Sequence, residues 1–161
     1  VDAGRASLDF SAVDLDVLVS STVGAFQPLA IEHDAGLHVS RLEGGVVRGD
    51  PERLAEALRT LVHNAIEHGG PGVQVEVGAW RDKLTAILEV RDDGPGIAAV
   101  ERERLLERFA RGDAARSGAG GGLGLSIARW VATAHGGRLS LETATPGTRP
   151  GVCARIELPL G

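Results

Sequence analysis

Three stretches of this 161-residue chain combine residue types and spacing suited to holding a ligand. Residues 118–124, Gly-Ala-Gly-Gly-Gly-Leu-Gly, run directly into the helical pattern Leu125-Ser126-Ile127-Ala128. A glycine-rich turn that opens a helix offers free backbone N–H groups at the positive end of the helix dipole, which suits an anion. No Gly-Lys-Ser/Thr follows, so this is not a P-loop. The segment before it does not read as a strand, which sets aside a dinucleotide fingerprint. Further upstream, Asp92-Asp93-Gly94-Pro95-Gly96-Ile97 follows a strand-like run. An ionised carboxylate only accepts hydrogen bonds, and the glycines permit a turn and close backbone approach. Taken alone, such a turn is generic. The third stretch is a polar helix face of Thr60, Asn64 and Glu67 flanked by His63 and His68; alone, it reads as solvated surface. Glycine makes up 23 of 161 residues, about twice the usual share of roughly 7%. Its clustering at 94–96 and 118–124 is what a ligand-wrapping backbone needs.

These stretches need elements to hold them. Asp9 to Leu15 reads as an extended lead-in ending at a helix cap, followed by an apolar helical pattern (Leu15, Leu18, Val19, Val23, Phe26, then Leu29 and Ala30 past Pro28) to about His33. Leu37–Arg41 and Val46–Arg48 are strand candidates on either side of a turn at Glu43-Gly44-Gly45. Asp50-Pro51 starts a helix, with proline at its first position, that runs to His68 and stops at Gly69-Gly70-Pro71-Gly72. At 100° per residue, Leu54, Leu58, Leu61, Val62 and Ala65 share the side that faces a sheet. Val73, Val75 and Val77 alternate with polar residues as a half-buried strand, with Leu84–Val90 as its antiparallel partner. A long charged, then glycine-rich connection over 98–121 precedes a helix from about Leu123 to Ala134, stopped at His135-Gly136-Gly137. Strands at about Arg138–Thr143 and Val152–Leu158 close the chain. Helices interleave with strands while two hairpins break the βαβ rhythm. The expected fold is therefore a two-layer α/β sandwich, a mixed sheet with its helices on one face.

Composition narrows the function. The length fits one domain, and 43% hydrophobic against 24% charged residues is globular. With 3% aromatic residues, the core must rest on Leu, Val, Ile and Ala. A net charge of −5 and a pI near 5.5 argue against a nucleic-acid binder. No apolar run approaches the roughly 20 residues that span a bilayer, and nothing resembles a signal peptide. The chain begins at Val1 without a methionine and reads as a piece of a longer protein, which leaves a membrane anchor elsewhere open. The lone Cys153 excludes an internal disulfide framework and reads as a buried, inert thiol in a strand.

The motifs taken together resemble a known family. Asn64-Ala65-Ile66-Glu67-His68 resembles the N box, Asp92-Asp93-Gly94-Pro95-Gly96 the G1 box (Asp-x-Gly-x-Gly), Leu106-Glu107-Arg108-Phe109-Ala110-Arg111 the F box, and Gly120-Gly121-Gly122-Leu123-Gly124-Leu125 the G2 box of the GHKL superfamily. Their order and intervals over about residues 50–130 are those of the ATP-binding catalytic domain of sensor histidine kinases. The resemblance implies a Bergerat fold: about five mostly antiparallel strands packed on three helices, with a flexible ATP lid over about 98–121. It implies that Asn64 ligates Mg²⁺ through its side-chain oxygen, a hard donor for a hard cation. It further implies that Asp92 receives the exocyclic amino group of adenine, and that His68, Gly94, Gly96 and Ile97 line the nucleotide. Gly120, Gly122, Leu123, Gly124 and Leu125 would hold the triphosphate, and Arg111 would meet the γ-phosphate, with Arg108 and Arg116 as weaker choices; Phe109 would anchor the lid. The chain departs from the family at Thr60, commonly a second asparagine, and at Glu67, often a basic residue. Gly151-Val152-Cys153-Ala154 stands where Gly-Thr-Thr-Phe is frequent. Residues 1–13 resemble the end of the linker from the phosphoacceptor hairpin, leaving 14–161 as the catalytic domain.

The implied reaction is phosphoryl transfer from Mg-ATP to a histidine on a separate dimerisation hairpin, and from there to a response regulator. None of His33, His38, His63, His68 and His135 has the sequence context of a phosphoacceptor, so the chain is expected to carry the kinase half alone, as a cytoplasmic monomer. His135 reads as a helix C-terminal residue favoured by the dipole. The rivals are a GHKL ATPase, a serine kinase of the anti-sigma-factor type, and a degenerate regulatory domain. The first two generally place a glutamate base where this chain has Thr60, whose hydroxyl is a poor base.

Overall fold

A computed structural model describes residues 8–96, 120–144 and 149–160, with residues 120–124 described by backbone only. Strand β1 (Ser11–Asp14) leads into helix α1 (Leu15–Glu32), whose N-cap Asp14 accepts from the amides of Asp16 and Val17. Such caps satisfy N–H groups that have no partner within the helix. Leu15, Val19, Val23 and Ala30 face inward. Pro28 lies inside α1, so one helical hydrogen bond is missing there. The helix ends in a Schellman motif, with Asp34 at φ 55°, Ala35 N–H donating to Ala30 and Asp34 N–H to Ile31.

Strands β2 (Gly36–Leu42) and β3 (Val46–Gly49) follow. They do not pair across the Glu43–Gly45 turn: β2 joins β4 in parallel and β3 pairs antiparallel with β1. Helix α2 (Pro51–His68) is capped by Asp50 and buries Leu54, Leu58, Leu61, Val62 and Ala65. The hairpin of β4 (Gln74–Asp82) and β5 (Thr85–Asp92) turns at Lys83, φ 59°. Helix α3 spans Gly120–Ala134, three residues earlier than the glycine string suggested, and β6 (Arg138–Thr143) and β7 (Val152–Pro159) form the last hairpin. The stop of α3 is a second Schellman motif, with Gly136 at φ 79°, Gly137 N–H to Ala132 and Gly136 N–H to Thr133.

The main sheet has the order β2-β4-β5-β7-β6, with one parallel and three antiparallel pairs. The three helices cover the face that carries Val75, Val77, Ala79, Leu88, Val90, Ala154 and Ile156, all buried. The other face carries Trp80, Glu89, Arg91, Cys153 and Arg155. Glu89 is 6% exposed there, held by Arg155 Nε at 2.7 Å, Cys153 Sγ at 2.9 Å and Arg91 Nε at 3.7 Å. Burial and the Glu89 carboxylate push the Cys153 thiol up to about 11, the inert state expected of it.

Candidate nucleotide site

Asp92 ends β5 on the helix-covered face, opposite Val75. It is 9% exposed, and Oδ1 accepts from Gly94 N–H at 2.8 Å. Burial pushes its carboxyl above the ordinary range, against the pull of the Gly94 and Val152 amides. Among the described residues no cation forms a salt bridge with it. Its neighbour Asp93 is exposed and structural: Oδ1 accepts from Gln74 N–H at 2.7 Å, and its carbonyl accepts from Arg149 Nε at 2.8 Å.

Backbone meets backbone around Asp92. A Cβ on Gly94 would lie 3.0 Å from Gly69 Cα and 3.1 Å from Gly69 O, so the turn after β5 touches the end of α2. A Cβ on Gly151 (φ 66°) would overlap the Asp92 carbonyl, and Gly151 N–H donates to Gly94 O at 2.9 Å. Gly96 (φ 82°) packs on Pro150 and Gly151. Three segments distant in sequence therefore form one glycine-lined cradle, and Gly69 and Gly151 are the members that sequence reasoning passed over. The signal for Gly69 was present: one glycine suffices to stop a helix, and Gly70 (φ 84°) does so here.

Helix α2 packs against both β5 and α3. On it Asn64 is half-buried and His68 exposed. Glu67 lies between two imidazoles, His63 Nε2 at 3.7 Å and His68 Nε2 at 3.8 Å, so the acidic residue at the basic position is flanked by potential cations. The Thr60 hydroxyl donates to Ala57 O at 2.8 Å, which ties it to its own helix. Leu125 is buried against the core, and Gly120, Gly122, Leu123 and Gly124 form the backbone of the first turn of α3. Ile97, Arg108, Phe109, Arg111, Arg116 and nearly all of the 98–121 lid lie outside the described residues. Cys153 does not face the cradle; its Sγ donates to Glu89 on the opposite face.

Residues 49–161 match the family described as histidine kinase-, DNA gyrase B-, and HSP90-like ATPase. The chain belongs to that family. Within this ATPase family its relatives are sensor kinases. It is 40% identical over 156 residues to the sensor protein SphS of Synechococcus elongatus, covering 92% of this chain and 37% of SphS. It is 44% identical over 115 residues to the histidine-protein kinase/phosphatase MprB of Mycolicibacterium vanbaalenii, covering 70% and 24%. The solved mycobacterial sensor histidine kinase MprB superposes with TM-score 0.78 at 31% identity, covering 94% of this chain and 97% of that one. The catalytic domain of histidine kinase ThkA shares the fold, with TM-score 0.80 at 24% identity and 95% and 99% covered. The domain is thus a catalytic domain of the histidine-kinase type, an α+β sandwich of five mixed strands on three helices. It spans little more than a third of SphS and about a quarter of MprB. No helix among the described residues is long and apolar enough to cross a membrane.

Proposed function

We propose that this domain binds Mg-ATP and donates the γ-phosphate to a histidine on a separate dimerisation and phosphoacceptor domain, which passes it to a response regulator. The observation that carries the reading is Asp92, a buried carboxylate with no salt-bridging cation among the described residues, set in a cradle of glycines. A base edge that donates a hydrogen bond supplies what Asp92 lacks, and adenine has such a donor in its amino group where guanine has an acceptor. His68, Gly94, Gly96 and Ile97 line the base and sugar, and the first turn of α3, from Gly120 to Leu125, offers amides to the phosphates.

Asn64 is the one protein ligand assigned to magnesium. The donor chemistry fits a cation that arrives with its nucleotide: one amide oxygen on a half-buried helix face, with phosphates and water completing the oxygen shell. Bound there, magnesium would neutralise phosphate charge. Arg111 would meet the γ-phosphate through charge-assisted bonds. Transfer then relies on positioning and charge stabilisation: an imidazole nitrogen bonds to the γ-phosphorus as the bond to the bridging oxygen breaks and ADP leaves. The Thr60 hydroxyl, committed to Ala57 O, is no base for water, which supports transfer over the ATPase and serine-kinase readings.

The domain is proposed to act in the cytoplasm, in a parent kinase that is free to be anchored in the inner membrane. The test is Mg-ATP binding by calorimetry followed by transfer of labelled phosphate to a supplied phosphoacceptor domain. Acid-labile label on that domain, and none on this chain alone, is the expected result. Binding without transfer would instead mark a regulatory nucleotide-binding domain.

A further inference from the structure

Far from the cradle, the segment entering at Asp9 is bound by the same two residues that terminate the nucleotide helices. Asp50 is 7% exposed and divides its carboxylate: Oδ1 accepts from the Glu52 and Arg53 amides at the start of α2, and Oδ2 from Asp9 N–H at 2.9 Å. Its own N–H donates to His135 Nε2 at 3.0 Å, and His135 Nδ1 lies 2.8 Å from Val131 O in the last turn of α3. An amide can only donate and a carbonyl only accept. Nε2 therefore accepts and Nδ1 donates, so both ring nitrogens are engaged at the end of α3.

The outer face of this imidazole is covered by Phe10, stacked at 5.0 Å between ring centroids and 16° between planes. Gly49 leaves room for the imidazole, since a Cβ there would meet His135 at 3.1 Å and Leu54 at 2.8 Å. Arg53 lies over the Trp130 ring at 5.7 Å, so the start of α2 meets the end of α3 along more than one residue. The opposite ends of these helices carry Asn64 to His68 and Gly120 to Leu125.

We propose that Phe10, stacked on the Asp50–His135 pair, is a positioning residue: it straps the entering segment to the α2–α3 pair and so fixes the direction from the ATP site to the tethered phosphoacceptor. The inference rests on the kinase reading above. Caps and helix stops need Asp50 and His135 but not Phe10, which is 39% exposed. What Phe10 adds is a rigid joint between the chain leading in and the two helices that hold ATP.

The experiment compares transfer within the full-length kinase with transfer from this chain to a separately supplied phosphoacceptor domain. Phe10→Ala should lower the tethered rate at least tenfold, while KM for ATP and the untethered rate stay within twofold; Phe10→Trp, which restores a stacking ring, should recover the tethered rate. A tethered rate that survives Phe10→Ala overturns the proposal, as does a parallel fall in both arrangements, which would mark a merely structural residue. Should Phe10→Ala melt the domain, Phe10→Leu keeps apolar bulk without the stack and carries the same expectation. If the unaltered protein binds ATP but transfers in neither arrangement, the kinase reading itself fails, a result distinct from those the Phe10 variants give.

Discussion

Replacing Asp92 by asparagine tests the nucleotide site at its most exposed assumption. The carboxylate is buried, with Oδ1 held by Gly94 N–H at 2.8 Å. A hydrogen bond from a base amino group to such a charged acceptor contributes a net stabilisation of about 1.5–3 kcal/mol. At about 1.4 kcal/mol per factor of ten, its loss weakens ATP binding by about 10- to 150-fold. The upper end is expected, because the substituted amide would keep its oxygen on the Gly94 N–H and turn its NH₂ toward adenine, leaving two donors face to face. Guanine, with an acceptor at that position, should gain relative affinity. Stability should move the other way. Burial raises the folded-state pKa of Asp92, so the folded state binds the proton more tightly than the unfolded chain. Stability associated with this group is then highest below its unfolded value and falls as the pH rises through the folded one. Above that folded value the ionised carboxylate is a burden that asparagine removes, so the melting temperature there should hold or rise. Calorimetric titration with Mg-ATP and Mg-GTP, beside thermal melts, reads all three quantities. Unchanged ATP affinity in a folded Asp92→Asn protein would refute the reasoning.

Asn64→Ala should abolish the Mg²⁺ dependence of ATP binding, measured by titration with and without chelator; persistence of that dependence removes the metal assignment. Gly151→Ala, which drives a Cβ into the Asp92 carbonyl from a left-handed backbone, should destabilise the domain by about 2 kcal/mol or more and loosen the cradle, as seen in denaturant midpoint and ATP affinity together. Cys153, at about 11, should resist alkylation at mildly alkaline pH in the folded protein and react once guanidinium unfolds it. For Asp50 the amide of Asp9 leads the forces that hold its carboxyl below the ordinary range; its stabilisation is present above the unfolded pKa and lost as the pH falls through the folded one. Asp50→Ala should therefore cost about 1–2 kcal/mol at neutral pH and progressively less in acid melts.

The parts of the fold that sequence reached were those where local chemistry decides. Asp50-Pro51 had to start a helix, alternating valines had to make a half-buried strand, and Gly136 had to stop α3. Pairing across distance was less legible. Nothing local to Leu37–Arg41 reveals that it joins Val73–Val77 in parallel and leaves Val46–Gly49 to the N-terminal strand, because both arrangements bury the same side chains. Glycine in the first turn of α3 hid the start of that helix by three residues, since intrinsic propensity argues against starting on three glycines. The motif residues were legible by type, while the contacts that shape the site, Gly69 on Gly94 and Gly151 on Asp92, exist only once three segments converge.

Strand β5 buries two carboxylates that are held in different ways. Glu89 and Asp92 are 6% and 9% exposed on opposite faces of one strand. Burying a charge is costly unless it is paired, and Glu89 meets that demand internally with Arg155 at 2.7 Å and Arg91 at 3.7 Å. The Arg155 guanidinium is in turn held more firmly protonated, through its bond to Glu89. Asp92 has backbone amides and, among the described residues, no salt-bridging cation, although Asp93, one residue on, sits 3.8 Å from Arg149. A sequence optimised for stability alone would pair Asp92 or replace it. On the proposed reading, Asp92, ringed by glycines that admit no side chain, takes a further donor from a partner outside the chain. The adenine amino group is such a donor, and an arginine in its place would close the site to it.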